Sequence, residues 1–209
     1  MNFKTLLQVG VVSTALMAAN SAYAIEFSTQ FTADNVVSEF SYAENGSVTN
    51  FDLGSTGNLS NWQAASSIGL SLVDNAAYDF IWRTNNLGSP NAGNPAGFLA
   101  QFNLGTTEYL SSTDSNIWSI SSDGINWTNL ALTSYGTNAP SDPNVWGSIA
   151  GINHSSEWLW DANNGGNLVN DSLYFKASIT SAVPEPSIVA LMLGGLGLVG
   201  FMANRRKKV

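Results

Sequence analysis

Between Ile25 and Ala182 the chain reads as a series of short windows. In each, apolar and polar residues alternate or β-branched and aromatic residues concentrate, and Gly, Asn, Asp, Ser or Pro closes the window. A period of two marks a strand with one face in a core and one in solvent. The windows are 27–32, 36–42, 48–53, 67–73, 78–84 and 97–104, followed by 117–121, 126–130, 146–152, 157–161 and 172–180. Asn45-Gly46 separates two of them and is a type I′ hairpin signal. Asp123-Gly124 does the same between Trp118-Ser119-Ile120 and Trp127. Residues 85–95 and 136–144 read as long loops, and 61–66 as a single helical turn. Short strands at this spacing predict an all-β fold, an antiparallel β-sandwich or jelly roll. No fixed-period repeat occurs, which argues against a propeller or solenoid.

The two ends have a different pattern, an unbroken apolar stretch with charge on one side. Asn2-Phe3-Lys4 is a short positive segment, Leu6 to Ala19 is largely apolar, and Ala22-Tyr23-Ala24 is an A-x-A site. That order predicts a signal peptide over residues 1–24, removed between Ala24 and Ile25 after translocation. A buried core helix would show the same apolar stretch but has no reason to end in A-x-A. At the other end, residues 187–203 form an uncharged span of 17 residues, the lower limit for crossing a hydrocarbon core. Arg205, Arg206, Lys207 and Lys208 follow directly and place that end on the cytoplasmic side. The span holds four glycines, Gly194, Gly195, Gly197 and Gly200, which suits a transient anchor better than a permanent one. Ahead of it, Val183-Pro184-Glu185-Pro186 carries two prolines at spacing two, which forbid helix and favour an extended, accessible backbone.

Pro184-Glu185-Pro186, an apolar span and a basic terminus, in that order, resemble the PEP-CTERM sorting signal of Gram-negative bacteria, over residues 183–209. An ordinary single-span anchor is the competing reading. The resemblance implies an exosortase, a membrane protease, as partner, beside the translocon and signal peptidase. It implies an inner-membrane-anchored precursor with its body in the periplasm, cut near Pro-Glu-Pro and passed to the cell surface or the extracellular space. The body, residues 25–182, carries a second resemblance. Thr32-Ala33-Asp34-Asn35, the Asn45-Gly46 turn, Asn61-Trp62, Trp82-Arg83-Thr84-Asn85, Gly97-Phe98-Leu99 and Trp158-Leu159-Trp160 occur in an order similar to galactose-binding-like jelly rolls. Trp158-Leu159-Trp160 stands where those domains have W-I-W, and the Asn-Gly turn lacks their preceding hydrophobic pair. That resemblance implies the fold and raises carbohydrate as a ligand class.

Composition sharpens the picture of the body. The whole chain has net charge −8. Five of its seven cations lie in the two end segments, so the body keeps only Arg83 and Lys176 against fourteen acids, 2 − 14 = −12. Such a surface repels nucleic acid and anionic membranes. It tolerates calcium, but no D-x-[DN]-x-[DN]-G loop occurs, and no metal or cofactor is expected. With no cysteine, an exported domain has to hold itself by packing. Seven tryptophans supply ample surface to bury.

Little in the body points to catalysis. His154 is the only histidine and lies in a turn-like stretch, no G-x-S-x-G occurs, and no carboxylate pair is singled out. No catalytic residue is assigned. Tryptophan stacks on sugar rings but in strands is more often core. Trp82, Trp118 and Trp127 are therefore assigned to the core. Trp62 and Trp146 lie near loops, and Trp158 and Trp160 share one face of a strand; these four are the ligand-binding candidates. Residues 121–127 are similar to an Asp-box turn with the spacing off by one, and read as a hairpin. Three functions stand open: a non-catalytic polysaccharide-binding surface domain, a structural envelope or biofilm-matrix protein, and a secreted glycan hydrolase.

Overall fold

The computed structural model describes residues 24–55, 59–74, 76–87, 95–161 and 172–180, with Gly195 besides. Residues 1–23, the Pro184-Glu185-Pro186 motif, the basic cluster and all of the span but Gly195 lie outside the described residues. Among those described, no helix is long and apolar enough to cross a membrane.

Alternation builds the strands as the pattern predicts. In β5 (Ala77–Asn85) Tyr78, Phe80, Trp82 and Thr84 are buried, while Asp79, Ile81 and Arg83 are partly exposed. β11 (Ser172–Thr180) repeats this with Leu173, Phe175, Ala177 and Ile179 inward. The other strands are β1 (Ala24–Asp34), β2 (Val36–Glu44), β3 (Ser47–Phe51), β4 (Ser66–Val73), β6 (Gly97–Leu104), β7 (Thr107–Leu110), β8 (Trp118–Ser121), β9 (Leu132–Thr137) and β10 (Glu157–Asp161). They form two antiparallel sheets: sheet A in the order β4-β1-β6-β10-β9, with β7 also on β6, and sheet B in the order β3-β2-β5-β11-β8. The body is all-β and consistent with a jelly-roll-like fold.

Aromatic side chains fill the space between the sheets. Phe27 of sheet A stacks on Phe80 of sheet B at 4.1 Å between ring centroids, and Phe98 on Phe175 at 4.4 Å. Trp82 sits centrally, against Phe31, Phe40, Phe98 and Trp118. Burying each such ring contributes about 2–3 kcal/mol, and each aromatic pair roughly another 0.5–1.5 kcal/mol. This packing carries the stability that disulfides supply in many exported domains.

The turns follow local chemistry. Asn45 and Gly46 have φ of 48° and 87°, the left-handed pair that a two-residue type I′ hairpin requires between β2 and β3. Residues 61–66 form no helix: Asn61 closes a turn by accepting the Ala64 and Gln63 amides on its carbonyl and side-chain oxygens. Among the described residues of the body, the short helical element is a 3-10 turn at Leu53–Ser55.

Two expected strands are absent and two unexpected ones are present. Residues 126–130 make one bridge, Ile120 with Thr128, and residues 146–152 are coil. β7 and β9 pair instead, with β6 and β10. β7 is only four residues long, and β9 runs into Gly136 at φ 111°, so neither shows a clean alternation.

Candidate functional site

Three of the four tryptophans expected to bind ligand are inside the protein. Trp158 is 0 %, Trp160 1 % and Trp146 6 % exposed, so none offers a ring face to a sugar. The cause is a covering loop. Residues 138–156 fold over the outer face of sheet A and make a second small core of Leu99, Trp146, Ile149, Ile152 and Trp158. Trp146 stacks on Trp158 at 4.7 Å. Gly97 lies directly beneath the pair: a Cβ there would come within 2.8 Å of Trp146 Cζ2 and 2.9 Å of Trp158 Cε3.

Asn138 holds this loop down. Its side chain is fully buried, donates to the Ile149 and Ile152 carbonyls at 3.0 and 2.8 Å, and accepts from the Ile149 amide at 2.6 Å. Trp146 is fixed by its own polar atom: the indole Nε1–H donates to Asp34 Oδ2 at 3.0 Å. Burial pushes the Asp34 pKa above the usual carboxylate range, and the indole hydrogen bond opposes part of that rise.

The expectation that Trp158 and Trp160 share one face is also corrected. The register shifts between Glu157 and Leu159; Trp158 joins the small core, while Trp160 joins Leu159 in the main one, against Phe175. Trp62 alone of the four keeps part of its surface, at the rim of the small core.

The accessible aromatic surface lies instead on the outer face of sheet B. Register aligns Glu39, Arg83, Tyr174 and Ser121 in one row and Ser41, Ile81, Lys176 and Ser119 in the next. Both cations of the body are therefore here. Arg83 pairs with Glu39 and lies 5.4 Å over the Tyr174 ring. Lys176 lies 3.6 Å from Asp79 and 4.6 Å over the ring of Trp127, which is half-buried rather than core.

The 121–127 hairpin sets the edge of this face. Asp123 Oδ1 accepts from the Ile125 and Asn126 amides at 2.8 Å each, Oδ2 accepts from Asn126 Nδ2 at 2.7 Å, and Gly124 packs on Tyr174. These hydrogen bonds hold the Asp123 carboxyl well below the usual range. Sequence reasoning passed over Tyr174, although its place between the inward Leu173 and Phe175 already turns it outward.

His154 is exposed in a turn, and among the described residues no three His, Asp or Glu side chains converge as metal ligands. A groove of about 400 Å³ runs between Ser38–Phe40 and Asn50–Gly54. Its Asp52 carboxylate is occupied by the Gly54 amide at 2.9 Å.

No curated protein and no solved structure matches the chain. A family model described as the PEP-CTERM protein-sorting motif matches residues 182–207, which contain Pro184-Glu185-Pro186 and Arg205 to Lys207. Those residues are a PEP-CTERM sorting motif, which implies an exosortase as partner and a membrane-anchored precursor processed for export.

Proposed function

We propose that the body, residues 25–182, is a non-catalytic surface domain that contacts extracellular polysaccharide through the outer face of sheet B, after signal peptidase has cut at Ala24. The supporting observation is the pair Trp127 and Tyr174, two partly exposed rings on a mostly polar sheet face, each held in place by a cation. Flat rings set among Asn, Ser and Asp groups match a sugar, whose C–H faces are apolar and whose rim is hydroxylated. The ion pairs of Arg83 and Lys176 neutralise both cations, which favours a neutral polymer over an anionic one. The final location is the cell surface or the extracellular matrix, and the membrane contact through residues 187–203 is transient.

The test is retention of the sorted protein on polysaccharide from its own host. Each aromatic stack contributes about 0.5–1.5 kcal/mol, so Trp127→Ala should weaken retention by roughly three- to tenfold, and Tyr174→Ala similarly. Trp62→Ala should leave it unchanged. Wild-type protein that is not retained overturns the reading.

The structural matrix role is the second reading, favoured by β3. This edge strand is exposed along Ser47–Asn50 and carries no charge or proline to block pairing with another chain. Self-association that Val48→Lys abolishes would support it over polysaccharide contact.

A further inference from the structure

We propose that one pole of the sandwich, the end at which β11 stops, is the surface that meets the exosortase. Thr180 is the last residue of β11, an interior strand of sheet B paired to both β5 and β8. The sorting motif begins at residue 182, and Pro184 lies four residues beyond Thr180. At no more than ~3.6 Å per residue, four residues reach at most about 14 Å. A 100-residue domain already has a radius of gyration of about 13 Å, so an enzyme whose cleft holds Pro184-Glu185-Pro186 cannot stand clear of the sandwich.

The register shows which residues it meets. Thr180 pairs with Ala77, and the Ala77 carbonyl accepts the amide of Asn45 at 2.9 Å, which brings the Asn45-Gly46 turn to this pole. Ala24, the start of β1, pairs with Val73. The Gly105 amide donates to Glu26 at 2.8 Å, and the Ser178 amide to Ile117 at 2.9 Å, which adds the 105–106 turn and the 114–116 turn. Tyr78 ties the turn after β4 by donating its hydroxyl to the Val73 carbonyl at 2.6 Å; burial, then the charge of Glu44, pushes its pKa up to about 12, so it remains a donor. Asp34, Asn35 and Leu87 lie at the opposite pole, joined by the Leu87 amide donating to Asn35 Oδ1.

The absence of cysteine makes the test direct. Single cysteines at exposed pole positions, Ser47→Cys, Thr106→Cys and Ser115→Cys, and one at the opposite pole, Leu87→Cys, each carry a photo-crosslinker on the full-length chain in cells that make the exosortase. The three pole positions should cross-link to the enzyme and Leu87→Cys should not. About twenty Gly/Ser residues inserted after Thr180 should abolish the cross-links while the tail is still cut, because a flexible linker of that length lets the body move away. Equal yield from Leu87→Cys, no product from any pole position at native spacing, or pole cross-links undiminished by the insertion would overturn the proposal.

Discussion

Gly97 and Gly46 are both glycines by necessity, for different reasons. At Gly97 a methyl would collide with two stacked indoles, neither of which is a flexible chain end. Gly97→Ala should destabilise by ~1–3 kcal/mol and lower the melting temperature by several degrees, read by calorimetry. At Gly46 there is open space, and only φ of 87° matters. Gly46→Ala should cost about 1–2 kcal/mol from the left-handed backbone alone.

Asp34 gives a pH dependence with a definite sign. Burial raises its folded pKa above its unfolded value near ~4, so its contribution to stability is full below about pH 4 and falls as pH rises through the folded pKa. Asp34→Asn removes that term. The stability of the variant relative to wild type should therefore improve as pH rises from about 4 through the folded pKa, and level off above it, in urea titrations. A difference that is flat or of opposite slope would contradict the assignment. Asp123 and Asp142 act in the other direction, since their lowered pKa values give stability present above the unfolded pKa and lost as pH falls.

At the scale of elements, the loop 138–156 behaves as a lid glued to sheet A rather than as a mobile connection. Its apolar residues alone would leave the Ile149 amide and the Ile152 carbonyl buried and unpaired, and Asn138 satisfies both. Asn138→Ala should cost at least ~2 kcal/mol, from several net hydrogen bonds at about 1 kcal/mol each. It should also expose the loop to limited proteolysis while the main core persists. Residues 146–152 misled the pattern reading because their apolar side chains do face a core. That core is built by coil over a sheet, and periodicity cannot distinguish it from a strand.

At the scale of the whole molecule, the sorting motif and the body are coupled by a very short connection. Replacing Pro184-Glu185-Pro186 with three alanines should leave the uncut precursor in the membrane fraction, seen as a slower-migrating band. The stability of the body should be unchanged, because β11 is complete at Thr180. Residues 25–182 carry a net charge of −12, and their two cations are held in ion pairs within one sheet face.

The sequence by itself determined the features that are local or are read as linear text. A sorting signal is read as linear text, in the order of motif, apolar span and charge, which is why residues 182–207 are recognisable without a fold. The Asn45-Gly46 hairpin and the alternation of β5 and β11 are equally local, set by φ preference and by a period of two. Only the tertiary structure decided which aromatics reach solvent. Trp146 and Trp158 are buried because a loop some forty residues on from Gly97 closes over them, and Trp127 is accessible because its hairpin ends at a sheet edge. Burial depends on what lies across from a residue, and that partner is chosen by contacts distant in sequence.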